Sequence, residues 1–234
     1  MHPELLDWLA TEFVRTGWDI KATLKTMLMS AAYQQSSRAT PELLQRDPDN
    51  RLLARGARLR LPAEMVRDQA LAMSGLLVEQ LGGPSVKPYQ PAGLWKELAG
   101  GTDYERDHGP SLYRRSLYTY WKRAVPPPGM MTFDSAGREA CTVRESRTNT
   151  PMQALTLMND ETYLEAARKI AERMMVEGGA TQAARIDYGF KLITARAPRE
   201  RERGVLLSSL HHHLDRYQTG GAAAQKMLGK ARRR

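Results

Sequence analysis

Most of the unusual residue choices in this chain of 234 residues fall in one segment, residues 113–160. Its sequence is YRRSLYTYWKRAVPPPGMMTFDSAGREACTVRESRTNTPMQALTLMND. The run from Pro126 to Pro128 constrains the fold most, because proline holds φ near −65° and has no backbone N–H to donate to a helix or a sheet. We therefore expect an extended polyproline segment that acts as a rigid spacer and returns the chain across the core.

The residues before the prolines favour a β-strand. Residues 115–123, RSLYTYWKR, alternate between two sets of side chains and are rich in aromatic residues. A strand needs a partner, and the candidates are residues 85–89 and residues 141–144. A helix stays open as an alternative, because one helical face would also collect Tyr113, Leu117, Tyr120 and Trp121.

The residues after the prolines predict a helix start. Asn149 or Thr150 can cap a helix, and Pro151 suits its first turn, where a missing N–H costs nothing. An apolar face follows at once. Asp160 then predicts a second, longer helix that runs to about residue 177 and ends at two glycines.

Helical periodicity dominates the rest of the chain. We predict helices over residues 3–15, 19–33, 61–81, 94–98, 181–196 and 198–217. In the third of these helices the predicted buried residues are Met65, Val66, Ala70, Leu71, Met73, Leu77 and Val78. The fold class is therefore mostly α, with a small β or extended insertion around residues 113–147. One domain is expected over residues 1–217, followed by a basic tail over residues 218–234.

Charge and composition exclude several classes of function. The formal net charge is +9, but lysine and arginine alternate with acidic residues except near the end of the chain, so a nucleic-acid partner is not expected. No window of about 18 apolar residues predicts a membrane span, and no export signal is visible. Cys141 is the only cysteine and no CxxCH motif is present, so no haem or other cofactor is expected.

The best candidate for a binding site is the junction between the loop and the helix that starts at Pro151. Arginine side chains beside the free N–H groups of a helix start can hold an anion. The occupant could be internal, namely Asp134, Glu139 or Glu145, or it could be an acidic glycan or a carboxylate of a partner. The predicted binding residues are Arg144, Arg147, Asn149, Thr150, Arg138 and Trp121.

Three other groups of residues are weaker candidates for a catalytic or metal site. Cys141 could be an activated thiol beside Arg138 and Arg144, although no histidine is near it in sequence. Asp134 and Glu139 could form the acid–base pair of a glycan hydrolase. The consecutive histidines at 211–213 diverge around a helix and cannot share a metal ion, so no metal site is predicted.

Three stretches in order, HPELLDWLATEFVRTGWDIKATLKTMLMSAAYQQSS, LGGPSVKPYQPAGLWKEL and RRSLYTYWKRAVPPPGMMTFDSAGREACTVRESRTNTPMQALTLMND, resemble the PSD-one domain family, a domain of unknown function (DUF 1553). Members of this family form the C-terminal domain of large planctomycete proteins that also carry domains similar to cytochrome c. A segment of the type NRxWxxxFGRGL usually precedes the domain and is missing here, so we expect a truncated member.

The resemblance implies a function for the parent protein. It implies a binding or scaffold module of a larger exported protein, periplasmic or at the cell surface, whose partners are the neighbouring cytochrome-c-like domains. An enzyme is the less favoured alternative, a hydrolase that acts on glycans through its loop carboxylates.

Overall fold

The computed structural model describes residues 2–99, 103–138, 140–143, 147–222, 224–225 and 229. The prediction of a mostly α fold is confirmed: ten α-helices form in the described ranges, and strand pairing there is limited to isolated bridges. The chain divides into two compact units, Met1–Arg60 and Leu61–Arg234.

The first unit contains three helices, α1 (Pro3–Arg15), α2 (Ile20–Met29) and α3 (Pro41–Arg46). Helices α1 and α2 contact each other, as the predicted hairpin requires. Asp19 caps α2 by accepting a hydrogen bond from the N–H of Ala22 at 3.0 Å. The second helix ends at Met29, a turn earlier than predicted, because the chain turns into an extended conformation at Ser30.

The interior of this first unit is formed by a turn around a buried polar residue. Asp47 is its one buried residue among those described, and its carboxylate accepts hydrogen bonds from the N–H groups of Arg51 and Leu52, each at 2.8 Å. Arg55 donates to the carbonyl of Asp47 at 2.7 Å. Side-chain to backbone hydrogen bonds therefore organise this unit where larger units use an apolar core.

The described residues of the second unit form seven α-helices. They are α4 (Ala63–Ser74), α5 (Leu94–Ala99), α6 (Pro128–Thr132), α7 (Pro151–Asn159), α8 (Glu161–Glu177), α9 (Gln182–Thr194) and α10 (Glu200–Thr219). Helix α8 lies at the centre and packs against α4, α7 and α9, while α10 packs on α9 and α6 contacts both α4 and α7. A buried cluster between α4 and α6 consists of Ala63, Met130 and Phe133, with Val66, Trp121 and Tyr163 packed around it.

Helix α4 differs from the prediction in its end and in its buried face. It ends at Ser74, before the glycine pair at 82–83, because the next residue, Gly75, adopts a left-handed φ of 76°. The predicted core residue Met65 is exposed. The residues that α4 buries are Ala63, Arg67, Leu71 and Ser74, a stripe that includes a charged side chain.

The predicted strand over residues 115–123 is wrong. Its predicted partner segment 85–89 does pair with it, since Val86 donates to the carbonyl of Tyr118 at 2.8 Å and accepts from the N–H of Tyr120 at 2.7 Å. However, a 3₁₀ turn over Ser116–Tyr118 breaks the alternation. The N–H of Ser116 donates to Asp68 on α4 at 2.7 Å, so a ladder partner cannot use it.

The predicted proline spacer is shorter than expected. Pro127 is extended, with φ −58° and ψ 119°, but Pro128 is the first residue of α6. Proline is compatible with the first turn of a helix, because the N–H groups there have no helical partner. The prolines therefore lead directly into a short helix that lies against α4 and α7.

The predicted helix starts after this segment are confirmed. Thr150 forms a capping box with Gln153 at the start of α7, and the carboxylate of Asp160 accepts from the N–H of Thr162 at 2.9 Å to cap α8. Helix α8 ends at Glu177, before the two glycines, as predicted.

Candidate ligand-binding cavity

Arg67 is the charged residue on the buried stripe of α4, and only 6% of it is exposed. Its guanidinium donates to the carbonyl of Leu112 at 2.6 Å, to the carbonyl of Arg114 at 2.9 Å and to the hydroxyl of Ser116 at 3.2 Å. Burial lowers the pKa of this guanidinium, and the neighbouring carboxylate of Asp68 opposes that shift. The Nε atom is buried and has no hydrogen-bond partner.

Arg114 is a second buried arginine that bonds to backbone carbonyls. It donates to Pro84 at 3.0 Å, to Gln80 at 3.1 Å and also to Gly82, and its guanidinium lies 4.0 Å from the ring centre of Tyr118. The two arginines satisfy carbonyl groups that a regular sheet would otherwise satisfy. They hold the irregular segments around residues 80–86 and 112–118 to each other and to α4.

A cavity of about 410 Å³ lies among α4, α6, α7, the start of α8 and residues 88–91. Its volume lies within the range of about 300–1,000 Å³ that is typical of small-molecule sites. Part of the wall is apolar and includes four prolines, Pro88, Pro91, Pro127 and Pro128. The remaining wall combines amides, hydroxyls and two charged residues, Arg67 and Asp160.

Three contacts position the wall formed by residues 88–91. Tyr104 donates to the carbonyl of Pro88 at 2.6 Å, and the indole of Trp95 donates to the side-chain oxygen of Gln90 at 3.2 Å. Tyr89 bonds Glu165 of α8 at 3.3 Å, and Tyr113 donates to the same carboxylate at 2.9 Å. The wall is therefore attached to α8 through one carboxylate.

Two hydroxyl groups of lining residues have no hydrogen bond to the part of the chain that the structure describes. The hydroxyl of Thr119 is buried and has no hydrogen bond, and no hydrogen bond forms at the hydroxyl of Tyr163 within the described residues. Burial raises the pKa of Tyr163, and the nearby carboxylate of Asp160 raises it further. Tyr163 is therefore a neutral phenol at physiological pH, able to donate and to accept.

Comparison with known families shows to which family the chain belongs. The family model described as PSD1, protein of unknown function (DUF1553), matches residues 1–210, which is most of the chain. The chain belongs to the PSD1 family. Comparisons of this PSD1 protein with curated proteins and with solved structures gave no match.

Among the helices that the structure describes, none is long and apolar enough to cross a membrane. The described side chains also include no group of three His, Cys, Asp or Glu residues that could hold a metal ion.

Two of the predicted binding residues of this PSD1 protein lie together. The guanidinium of Arg138 lies 4.2 Å from the ring centre of Trp121, within cation–π distance. The indole Nε1 of Trp121 is buried without a hydrogen-bond partner. Neither residue is in the lining of the cavity, and Trp121 packs against the apolar cluster that contains Ala63.

The other predicted residues lie near the start of α7. Thr150 is engaged in the capping box, while Asn149 and Arg147 are exposed and do not line the cavity. Arg144, Glu139 and Glu145 fall outside the described residues, so the predicted anion site stays a prediction.

Asp134, one of the predicted internal occupants, reaches this same segment. Its carboxylate accepts from the N–H of Thr148 at 2.7 Å and from the hydroxyl of Thr148 at 2.9 Å. Asp134 thus joins the end of α6 to the residues that lead into α7.

The sequence analysis missed the polar residues of the cavity. Arg67 was detectable, because it lies four residues from Ala63 and four from Leu71 and so falls on the buried face of an amphipathic helix. Gln90, Thr119 and Tyr163 carry no comparable signal. They come from three different segments, and only the folded chain brings them to one cavity.

Proposed function

We propose that this PSD1 protein is a binding module and that the cavity between α4, α6, α7 and α8 is its ligand site. The observation that carries the proposal is the cavity itself, about 410 Å³ in volume, with a wall that places amide and hydroxyl side chains beside four prolines. A concave, largely preformed site that combines apolar surface with a few polar groups is the usual form of a small-molecule site.

A binding role fits the cavity better than hydrolysis does. The hydrolase hypothesis assigns the acid–base pair to Asp134 and Glu139, but Asp134 already accepts two hydrogen bonds from Thr148. Both oxygens of this carboxylate are bonded to Thr148, so Asp134 links two segments of the chain. This geometry favours binding over hydrolysis.

The test is to fill the cavity without disturbing its wall. Gly129 lines the cavity, and a Cβ added there would meet no atom within 4 Å. Gly129→Trp should therefore occupy the cavity while the chain stays folded. Saturation-transfer NMR with a mixture of neutral sugars, small carboxylates and inorganic phosphate should detect binding to the wild type and lose it in Gly129→Trp.

Gly204→Trp is the matched control. Gly204 lies on the exposed side of α10, and a Cβ there also meets no atom within 4 Å. This variant should bind as the wild type does. If no compound in the mixture binds, or if binding survives in Gly129→Trp, the cavity is not a ligand site.

We also propose a setting for the module, which rests on the family resemblance. In this proposal it is part of a larger exported protein, periplasmic or at the cell surface, and its neighbours are cytochrome-c-like domains. An acidic glycan remains the proposed ligand of the separate junction at Arg144 and Arg147. Fractionation of the source cells, with an antibody raised against this chain, should place the parent protein outside the cytoplasm, and a cytoplasmic signal would contradict this setting.

A further inference from the structure

We infer that the cavity binds an uncharged, hydroxyl-rich ligand, a neutral sugar, through Gln90, Asn159 and Tyr163. This inference rests on the proposed function and adds the chemical class of the ligand. Four observations carry it: the orientation of two amides, the hydroxyl of Tyr163 in the lining, the hydrogen bonds of the charged residues and the proline wall.

The partners of the two amides determine which of their atoms remain available. The indole N–H of Trp95 can only donate, so its partner at 3.2 Å must be the side-chain oxygen of Gln90. The carbonyl of Leu155 can only accept, so its partner at 2.9 Å must be the side-chain NH₂ of Asn159. Gln90 therefore offers donors to the cavity, and Asn159 offers an acceptor.

A donor, an acceptor and a hydroxyl group match one kind of ligand group. The hydroxyl of Tyr163, which lines the cavity, can both donate and accept. A ligand hydroxyl also donates and accepts at once. A ligand with several hydroxyls can satisfy all three side chains, whereas a carboxylate has no donor for the acceptor of Asn159.

The charged residues in the wall do not favour an anion. Arg67 and Asp160 are the charged residues among the described residues of the lining. The two Nη groups of Arg67 already donate to carbonyls and to the hydroxyl of Ser116. Asp160 keeps one carboxylate oxygen beyond its bond to Thr162, and this oxygen repels an anion but accepts from a hydroxyl.

The apolar part of the wall suits the carbon skeleton of a sugar. A pyranose presents a flat face of C–H groups on one side and hydroxyls around its edge. The side chains of Pro88, Pro91, Pro127 and Pro128 form a C–H surface beside the amides and hydroxyls. Such a mixture of apolar surface and a few placed polar groups is typical of small-molecule sites.

The test compares sugars that differ in a single charge. Methyl glycosides of glucose, galactose and mannose are titrated against the full chain by calorimetry, each beside the methyl glycoside of its uronic acid. In at least one pair the neutral sugar should bind about tenfold more tightly or better, which corresponds to one charged or hydrogen-bonded contact. Tighter or equal binding of the uronic acids, or binding of inorganic phosphate alone, would overturn the inference and leave the cavity a ligand site.

Single substitutions test the assigned residues. Asn159→Ala and Gln90→Ala should each weaken binding of the neutral sugar by about tenfold, the usual effect of losing one hydrogen bond to a ligand. Gln218→Ala, at an exposed glutamine of α10 that does not line the cavity, should bind as the wild type does. Unchanged affinity in both Asn159→Ala and Gln90→Ala would overturn the inference. If no probe of any class binds, the proposed function fails as well.

Discussion

Arg67 shows how one side chain can organise a region that lacks regular secondary structure. Its three hydrogen bonds reach residues between 45 and 49 positions away in the chain, all of them in the irregular segment before the prolines. A planar guanidinium with five donors suits this task, because the fork can bond several acceptors in one plane at once. Asp68, the next residue, holds the same segment through the N–H of Ser116.

We predict that Arg67→Met destabilises the protein by about 3 kcal/mol or more, because it leaves two buried carbonyls and one hydroxyl unsatisfied at about 1–3 kcal/mol each. Arg67→Lys should recover only part of the loss, because one ammonium cannot reach the same acceptors. Urea denaturation followed by circular dichroism measures both effects. The exposed Arg216 of α10 is the control, and Arg216→Met should change the free energy of unfolding by less than about 0.5 kcal/mol. Equal effects at the two positions would contradict this role for Arg67.

At the scale of elements, the turn between α8 and α9 depends on close packing at one glycine. A Cβ added to Gly178 would lie 2.4 Å from the carbonyl oxygen of Met174 and 2.8 Å from the Cα of Arg185. Both of these are backbone atoms, which cannot move aside without shifting a helix. The turn therefore requires glycine because there is no room for a side chain. The φ of Gly178 is −82°, a value that any residue can adopt.

Gly178→Ala should destabilise the protein by about 1–3 kcal/mol, the usual range for overpacking. Gly204→Ala should have the opposite sign and stabilise by about 0.5–1 kcal/mol, because its Cβ would meet open space and alanine favours a helix more than glycine does. Thermal melts of the two variants provide the comparison. A stabilising Gly178→Ala would contradict the close packing of this turn.

The same pair of helices is joined by a carboxylate that responds to pH. A hydrogen bond from Arg173, and a second from Tyr188 of α9, lower the pKa of Glu177 from 4.5 to about 2. A carboxylate whose pKa is lowered on folding stabilises the protein above its unfolded pKa, and this stabilisation disappears as the pH falls towards the folded value.

We therefore expect Glu177→Gln to melt at a lower temperature than the wild type at pH 7. The difference should shrink below about pH 4.5 and vanish near pH 2. Calorimetric melts of both proteins across this pH range measure the difference in melting temperature. A difference that grows at low pH would contradict the assigned pKa shift.

At the scale of the whole molecule, the two units differ in what stabilises them. The second unit buries Leu71, Val86 and Ile186 among its apolar residues. In the described residues of the first unit no apolar side chain is buried, and Leu6 of α1 and Ile20 of α2 are 68% and 65% exposed. Apolar burial is the main favourable term in folding, so the two units should differ in independent stability.

A fragment of residues 61–234 should therefore unfold cooperatively, whereas a fragment of residues 1–60 should unfold over a broad range and bind a hydrophobic dye. Circular dichroism and dye fluorescence of the two fragments test this, with the full chain as reference. A sharp transition in the 1–60 fragment without dye binding would contradict it.

The sequence by itself determined the local parts of this structure. Caps such as Asp19, Thr150 and Asp160 predicted helix starts correctly, because a cap bonds to residues two or three positions away. The mostly α class and the PSD1 family also follow from local patterns and motifs. The prediction of a strand at 115–123 failed because the N–H of Ser116 donates to a distant carboxylate, that of Asp68.

Only the tertiary structure decided where the cavity lies and which residues line it. Arg67, Gln90, Thr119 and Tyr163 reach it from four separate segments, and their hydrogen-bonding state depends on partners that folding supplies. A sequence pattern reports the periodicity of one segment, whereas a cavity depends on how several segments pack. For that reason the sequence could predict the helices that form the wall but not the space between them.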